Sequence, residues 1–297
     1  MSIQQNVYDW IARKGVALSE AKQIQNILSK LYSLMWRIPT PVTVQQSLLK
    51  NYIVHFNISL EESSLGIEDF KTLHDLFTRQ FNPKYRPIHR DEQAIISPVD
   101  GTIQNQGTIA DGRLIQAKGI RYSLSQLIPS PLHAKFQDGQ FLTIYLSPGD
   151  AHQLFSPVDG DIVGYTYVPG SLFSLSERYV NQIHGLYTLN ERLITYIETA
   201  YGWVAVVKIG AFGVGSITTT YDATIRTNRW FRKPKEMIYA SPISIARGDH
   251  LATFHIGSTV VLLFQKERVR FSEAFKGGKI KYGQRIGLSQ KGFIHTL

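Results

Sequence analysis

The strongest constraint on the fold is a change in sequence pattern near Ile95. Beyond it, the chain consists of short runs rich in β-branched and aromatic residues, separated by glycine-containing turns. Runs of this kind predict strands, and closely spaced turns predict that neighbouring strands run antiparallel. We therefore expect a β-rich core. Its clearest strands are residues 140–146, 161–168, 203–209 and 259–264.

The chain before this change has a helical pattern. Between residues 21 and 36, apolar side chains recur at spacings of three and four, which predicts an amphipathic helix. Residues 42–58 form a second such run, and residues 65–77 continue in the same style. We predict an α+β fold in which N-terminal amphipathic helices pack on a mainly antiparallel β-rich domain. The helical segment is residues 1–62, and the β-rich domain is residues 63–297.

The charge of the chain favours anionic partners. Lys and Arg number 32 against 23 Asp and Glu, a formal net charge of +9, so the surface should attract nucleic acid, acidic metabolites or an anionic membrane leaflet. The chain contains no cysteine, which excludes disulfides and a cysteine nucleophile. It has no apolar run of the roughly 18–20 residues that a spanning helix needs, and no signal-peptide pattern. We expect a cytosolic or peripheral protein.

One short motif occurs twice in the β-rich part. SPVDGTI, residues 97–103, recurs as SPVDGDI, residues 156–162, which predicts two similar units in which a turn leads into a strand. Asp-Gly after proline is a common tight turn, in which the Asp side chain caps its own backbone. Spacing alone therefore assigns chemistry to neither Asp100 nor Asp159.

Basic and aromatic residues alternate between residues 226 and 239. The segment combines five basic residues with Trp230, Phe231 and Tyr239. Such a mixture suits a single-stranded nucleic-acid site or a membrane interface, but most often it is a solvated loop.

A Gly-Ser-Thr step precedes an apolar run near the C-terminus. Residues 257–259 lead into residues 260–264, which should form a buried strand. A Gly-Ser step at a strand start is by itself an ordinary turn, and the chain lacks the Gly-x-Ser-x-Gly elbow of many serine hydrolases. Spacing thus disfavours an ordinary serine hydrolase. The nine histidines lack recognisable ligand spacing, so no metal site is predicted.

An ordered set of motifs resembles the phosphatidylserine decarboxylase family. Residues 257–259 resemble the family's self-cleavage motif, residues 97–101 its aspartate motif, and residues 146–152 its histidine motif. Each motif is weak alone, but their order and spacing are specific. Shorter matches support the set; they are residues 116–119, 122–124, 168–170, 172–174, 190–192 and 214–217. The similar region runs from about residue 65 to residue 264.

The resemblance implies that the chain makes its own cofactor. Carried over from the family, the Ser258 hydroxyl would attack the Gly257 carbonyl, and cleavage between residues 257 and 258 would leave a covalent pyruvoyl group at position 258. Glycine leaves the carbonyl open to approach, and serine supplies the nucleophile.

The resemblance also implies the reaction, decarboxylation of phosphatidylserine to phosphatidylethanolamine. The pyruvoyl carbonyl would form a Schiff base with the substrate amine. This Schiff base would accept the electron pair that stays on the substrate when carbon dioxide leaves. His152 is the candidate that protonates the resulting carbanion, because a histidine that titrates near neutrality suits this task. Asp100 would orient or charge a base. The catalytic residues implied are therefore Asp100, His152 and Ser258.

One position departs from the longer bacterial relatives. They usually carry a second histidine, assigned with the aspartate to self-cleavage, where this chain has Phe155. Either His152 serves both stages, or His255 acts as a base, although an exposed strand histidine is the simpler interpretation of His255. Asp159 is interpreted as a turn residue, and Asp150 as a cap of its loop.

The expected partners follow from the same resemblance. They are phosphatidylserine, an anionic membrane surface, a second copy in a homodimer, and the two cleaved chains as a heterodimer, with no nucleic acid. The helical segment would associate with the membrane, and the protein would be peripheral on the cytoplasmic face of the cell membrane. Two alternatives stay open. Phe155 motivates an unprocessed, catalytically silent homologue that binds lipid, and residues 226–239 motivate a nucleic-acid-binding protein.

Overall fold

The structure is a computed structural model, and it describes part of the chain in detail. The described residues are 29, 31, 34–212, 216–228, 233–255, 258–272 and 277–290. The first predicted helix, residues 21–36, lies mostly outside them. Leu34 and Met35 are helical, and Trp36 and Arg37 form the turn that follows.

Five α-helices have described bounds; they are α1 (Val42–Phe56), α2 (Leu73–Phe77), α3 (Leu124–Leu127), α4 (Glu177–Val180) and α5 (Leu186–Leu189). The helix predicted over residues 42–58 is confirmed as α1, which ends where Asn57 adopts a left-handed backbone with φ 50°. Residues 65–77 are not one helix. They hold a 3-10 helix, Ile67–Asp69, and then α2, because Thr72 and Asp75 form a capping box that starts a new helix.

The described strands range from two residues in length to eleven. They are β1 (Ala94–Ile96), β2 (Gly101–Thr108), β3 (Arg113–Ala117), β4 (Ile120–Ser123), β5 (Gln140–Leu146), β6 (Gln153–Phe155), β7 (Gly160–Val168), β8 (Arg192–Thr199), β9 (Gly202–Gly210), β10 (Ile217–Thr219), β11 (Lys235–Ile245), β12 (His250–Phe254), β13 (Ser258–Phe264), β14 (Val269–Phe271), β15 (Lys279–Ile280) and β16 (Arg285–Ser289). Two further 3-10 helices span Pro83–Tyr85 and Pro131–Phe136.

One eight-stranded sheet dominates the fold. Its strand order is β11-β7-β8-β9-β13-β5-β2-β15, and every neighbouring pair is antiparallel. Two three-stranded sheets, β1-β16-β14 and β10-β12-β6, and the hairpin β3-β4 complete it. The α+β class and the antiparallel core are thereby confirmed. The segment 226–239 is not simply a solvated loop, because its last residues belong to β11 at the edge of the main sheet.

The main sheet is covered on both faces, which explains its continuous apolar runs. In β13, Val260 and Leu262 enter one hydrophobic cluster, while Val261 and Leu263 enter the other. All seven residues of β13 are buried. Each large apolar side chain buried in this way contributes roughly 1.5–3 kcal/mol, so Ser258 begins one of the most firmly held strands of the protein.

The repeated motif forms two equivalent units, as predicted. The hydroxyls of Ser97 and Ser156 each donate to the carbonyl oxygen two residues on, at 2.7 Å in both copies. Gly101 and Gly160 then begin β2 and β7. A Cβ on either glycine would lie only 2.5 or 2.3 Å from a backbone oxygen of the neighbouring strand. Glycine is therefore required in both copies by the close approach of two backbones.

Helix α1 packs beside one end of the main sheet. Its Leu49 joins Ile58, Phe70 and Leu76 in a small hydrophobic cluster. The hydroxyl of Tyr52 donates to the Pro148 carbonyl oxygen at 2.8 Å, which ties α1 to the loop after β5. In the part of the chain that the structure describes, no helix combines the length and the hydrophobicity needed to cross a bilayer.

A buried lysine in β9 allows a test of this core. Lys208 is fully buried, donates to the Thr195 hydroxyl and the Val206 carbonyl oxygen, and has a pKa that burial lowers well below 10.5. In the unfolded chain, the amine of Lys208 is protonated up to about pH 10.5. In the folded chain, burial disfavours the protonated amine, so Lys208 lowers the free energy of unfolding at neutral pH. We expect Lys208→Met to raise the melting temperature at pH 7, by the equivalent of about 1–3 kcal/mol.

The pH dependence of the melting temperature tests whether the buried amine causes this gain. The gain from Lys208→Met should shrink as the pH rises from 7 towards 10.5, because the unfolded lysine then also loses its proton. Lys266→Met, at an exposed position in the turn after β13, is the matched control and should change the melting temperature little. A lower melting temperature for Lys208→Met at pH 7 would contradict this account.

Candidate active site

Strand register brings the predicted site residues to one end of the main sheet. Ser258, the first residue of β13, pairs with the last residue of β5 on one side and the last residue of β9 on the other. The loop that leaves β5 at this end leads directly to His152. Asp100 immediately precedes β2, whose Thr102 pairs with Tyr145 of β5. Gly257, the other residue of the predicted cleavage bond, lies outside the described residues.

The side chain of Ser258 is buried and its hydroxyl is not used in a structural hydrogen bond among the described residues. It is 1% exposed, and among the described residues its Oγ has no hydrogen-bond partner. A buried hydroxyl left unpaired costs about 1–3 kcal/mol, so such groups call for an explanation. The site can therefore accommodate a group made from this side chain, because the Oγ is not committed to another bond.

His152 is fully buried in a fixed orientation. Its Nδ1 lies 2.7 Å from the Asp150 carbonyl oxygen, which can only accept, so Nδ1 carries the proton and donates. In the neutral ring, Nε2 then carries the lone pair, and among the described residues it has no hydrogen-bond partner. The Phe77 ring stacks on the imidazole with centroids 3.7 Å apart. The backbone of His152 also accepts from Phe254, four residues before Ser258.

The protonation state of His152 differs from the expectation. Burial lowers its pKa to about 3; the hydrogen bond to Asp150 opposes this shift, and the charge of Arg79 adds to it. The ring is thus neutral at pH 7, whereas the sequence interpretation assumed a histidine that titrates near neutrality. Nε2 of the substrate-free chain is accordingly a base, and it must gain a proton before it can act as an acid.

The loop before His152 is held by Asp150, as predicted. One carboxylate oxygen of Asp150 accepts from the backbone N–H of Ser147 at 2.7 Å and from its hydroxyl at 2.8 Å. Burial raises the pKa of Asp150, while these hydrogen bonds oppose the shift. Asp159 also behaves as a turn residue, since its side chain accepts from the backbone N–H of Arg247.

The carboxylate of Asp100 forms an ion pair with an arginine. Arg86 donates to both carboxylate oxygens, from Nε at 3.1 Å and from Nη2 at 2.6 Å, and the backbone N–H of Tyr282 donates at 2.8 Å. Arg86 also bonds Glu62 at 2.6 Å. Asp100 is therefore near the other site residues, but the structure does not bring it into a hydrogen bond with His152. Sequence reasoning missed Arg86, which no motif marked.

Phe155 lies beside the turn that carries Asp100. Its ring stacks on Tyr282 with centroids 3.8 Å apart, and its backbone N–H donates to the Pro98 carbonyl oxygen at 2.9 Å. The position at which the resemblance implies a second histidine is thus adjacent to the Asp100 turn, and in this chain an apolar ring fills it.

His255 is not an exposed strand histidine. It lies one residue beyond β12, is half-buried, and bonds through Nδ1 to Nε2 of His74 at 2.9 Å and through Nε2 to the Thr218 hydroxyl at 3.0 Å. Because both ring nitrogens are engaged, His255 has no free nitrogen for Ser258 in this state. Sequence reasoning missed His74, since 181 residues separate it from His255 and only the fold joins them.

A charged cavity of about 190 Å³ adjoins the Asp100 side of the site. Arg79, Arg86, Lys279 and Lys281 line it together with acidic groups that include Asp100. Arg79 donates to the Leu76 and Gly149 carbonyl oxygens, so it braces α2 against the loop that leads to His152.

Comparison with known proteins places the chain in a family. The sequence model of the family described as phosphatidylserine decarboxylase matches residues 73–288. The phosphatidylserine decarboxylase proenzyme of Myxococcus xanthus is 35% identical over 266 residues, which cover 89% of this chain and 94% of the relative. Proenzymes with the same name from Brevibacillus brevis and Nitrosococcus oceani are 37% identical over 234 residues (78% and 83%) and 32% identical over 294 residues (96% and 94%).

Proposed function

Because the chain belongs to the phosphatidylserine decarboxylase family, we propose that it decarboxylates phosphatidylserine to phosphatidylethanolamine after cutting itself between residues 257 and 258. The observation that carries this proposal is Ser258. Its hydroxyl is buried, unpaired among the described residues, and placed at the start of a fully buried strand, on the residue that resembles the family's self-cleavage serine.

The first stage is an acyl shift within the chain. Ser258 Oγ attacks the Gly257 carbonyl carbon, the peptide C–N bond breaks, and an ester replaces it. Elimination then releases the Gly257 carboxylate, and hydrolysis with loss of ammonia leaves the pyruvoyl group at position 258. The hydroxyl proton needs an acceptor. Nε2 of His152 supports this role, because it is neutral and has no partner among the described residues.

In the second stage, the pyruvoyl group supplies Schiff-base chemistry and an electron sink. In this stage, His152 transfers one proton. Its Nε2 accepts the proton from the ammonium of the substrate and returns it to the carbon that has lost carbon dioxide. The negative charges of the bound substrate oppose the effect of burial and raise the pKa of the ring. This order, base first and acid second, follows from the neutral ring of the free chain.

Asp100 acts in this proposal as a positioning residue. Its bonds to Arg86 and to the backbone of Tyr282 hold the turn before β2 against the segment after β15. Through this turn, Asp100 fixes the end of the sheet at which Ser258 lies. The role assigned to it from the resemblance, orientation of a base, would need a rearrangement of the Arg86 pair.

Peripheral membrane association belongs to the same proposal. Apolar side chains around the N-terminal turn and α1 are 50–80% exposed; they include Leu34, Met35, Ile38, Val42 and Val54. With the formal charge of +9, such a surface suits the interface of an anionic bilayer, and the cytoplasmic face of the cell membrane is the location that we propose. The homodimer and the heterodimer of the two cleaved chains stay predictions.

The test uses the purified chain and vesicles that contain phosphatidylserine labelled in its carboxyl group. We expect release of labelled carbon dioxide together with phosphatidylethanolamine, and loss of both after treatment with phenylhydrazine, which consumes a reactive carbonyl. Vesicles of phosphatidylcholine alone are the control. Activity that survives phenylhydrazine would contradict the pyruvoyl assignment.

Phe155 favours a second candidate, an unprocessed homologue that binds lipid without catalysis. The apolar ring stacked on Tyr282 cannot accept or donate a proton at this position. In that case the chain would float with phosphatidylserine vesicles at low salt but keep its full-length mass and release no carbon dioxide.

A further inference from the structure

A histidine pair lies beside the segment that is proposed to be cut. His74 and His255 bond through Nε2 and Nδ1 at 2.9 Å, and their rings stack with an interplanar angle of 7°. His74 belongs to α2, whose Phe77 stacks on His152. One short helix therefore contacts both the base of the proposed site and the residue three positions before Ser258. The two reaction stages described above use neither histidine of this pair.

Two arginines are held next to this pair by backbone contacts. The N–H of His74 donates to the Trp36 carbonyl oxygen at 3.2 Å. This bond places Arg37, the residue after Trp36, next to His74. On the other side, Arg226 forms an isolated antiparallel bridge with Thr218. The Thr218 hydroxyl in turn bonds His255 at 3.0 Å. We name these four side chains, Arg37, His74, Arg226 and His255, the cationic cluster.

The cationic cluster has more positive than negative charge. Asp75 is an acidic group near it; the Asp75 carboxylate lies 4.0 Å from His74 Nδ1 and is 44% exposed. Burial, then His74, Arg37 and Arg226, lower the pKa of His255 to about 3, and burial and Arg37 lower that of His74 while Asp75 opposes them. The Nε of Arg37 is buried and has no hydrogen-bond partner among the described residues. An anion would supply both the missing charge and the missing acceptor.

The position of the cationic cluster fits one part of a phospholipid. Position 258 is three residues beyond His255 in the chain, a span of at most about 10 Å. On its other side, Arg37 is flanked by the exposed side chains of Leu34, Met35 and Ile38. In a serine phospholipid, the phosphodiester lies between the serine amine and the acyl chains. The cationic cluster likewise lies between residue 258 and an exposed apolar surface.

From this arrangement we propose that the cationic cluster binds the phosphodiester of the substrate headgroup. The proposal rests on the function proposed above. Arg37 and Arg226 donate to the phosphate oxygens, the acyl chains lie along the apolar surface at Leu34 and Ile38, and the serine amine reaches residue 258. Because a bound anion favours the charged imidazole, His74 and His255 gain proton affinity when the substrate arrives.

The first test compares Arg37→Gln and Arg226→Gln with Arg121→Gln, an exposed arginine in the β3-β4 hairpin. The substrate is a short-chain phosphatidylserine below its micelle concentration, so that membrane binding does not enter. A charge-assisted hydrogen bond is worth about 1.5–3 kcal/mol, which predicts a KM raised roughly 10- to 100-fold. We expect kcat within about twofold of wild type and unchanged self-cleavage by intact mass. Arg121→Gln should match wild type.

The second test needs no catalysis and uses the full-length Ser258→Ala chain. NMR titration of the histidine Hε1 signals should show the pKa values of His74 and His255 rising when short-chain phosphatidylserine is added, and rising less in Arg37→Gln. Inorganic phosphate at the same concentration should have a smaller effect. An equal or larger effect of inorganic phosphate would overturn the lipid assignment in favour of a free-phosphate site.

The two tests separate this proposal from the proposed function. An active wild type with unchanged KM in both arginine variants and unmoved histidine signals overturns the phosphodiester site and leaves the function intact. A chain that neither cleaves nor decarboxylates overturns the function, while the NMR titration still decides whether the cationic cluster binds the phosphodiester.

Discussion

Replacing Ser258 with alanine should leave one uncut chain with no decarboxylase activity. Without Oγ there is no attack on the Gly257 carbonyl, no ester and no pyruvoyl group, so the loss should be complete rather than partial. Intact mass under denaturing conditions should give two fragments for wild type, residues 1–257 and 258–297, and a single full-length mass for Ser258→Ala. The fold should persist, because alanine removes only an unpaired hydroxyl.

Thr143→Val is the control for this substitution. It removes another buried hydroxyl, from the middle of β5, and should leave both the fragments and the activity in place. A single full-length mass in wild type as well would contradict the prediction and favour the silent lipid-binding homologue. Phe155→His would then show whether the apolar ring beside the Asp100 turn is the cause, because it restores an imidazole at that position. Two fragments from Phe155→His alone would assign the defect to Phe155.

The second large effect is expected at His152. His152→Gln should lower kcat for decarboxylation by roughly 10²–10⁴-fold, the range for loss of a general acid-base group. Glutamine can still donate a hydrogen bond in the place of Nδ1, but it offers no group that takes up and returns a proton. The measurement is single-turnover release of carbon dioxide from preparations whose cleaved fraction has been quantified by mass. In this way a defect in cleavage is separated from a defect in decarboxylation.

His133→Gln is the matched control, since His133 also bonds through Nδ1 to a backbone carbonyl, that of Ser130 at 2.7 Å. It should retain near-wild-type activity. Equal kcat values in His152→Gln and His133→Gln would remove His152 from the mechanism.

Stability against pH gives an independent readout for His152. The folded pKa of about 3 lies below the ordinary value of 6.5, so the unfolded chain takes up this proton first as the pH falls. Wild type should therefore lose stability between pH 6.5 and pH 3, and His152→Gln should lose less over that range. An equal fall in the melting temperatures of the two chains between pH 6.5 and pH 3 would contradict the neutral, buried imidazole.

Some features of the protein are local, and the sequence determines them. Strand and turn patterns predict the antiparallel core, because alternation, β-branched runs and glycine turns act over a few residues. The two SPVDG turns follow from the same local chemistry. The ordered motifs also predict the family and the small group of residues around Ser258, since their order along the chain is a one-dimensional property.

Tertiary structure decided which side chains meet and in which state. His74 and His255, 181 residues apart, and Arg86 with Asp100 become neighbours only when distant strands and helices pack. The neutral state of His152 is likewise a consequence of burial, because desolvation depends on all the atoms that surround the ring. The sequence alone thus determined the strands, the turns and the family, whereas the pairing of charges and the proton affinities were decided by the fold, because both depend on distances and burial in three dimensions.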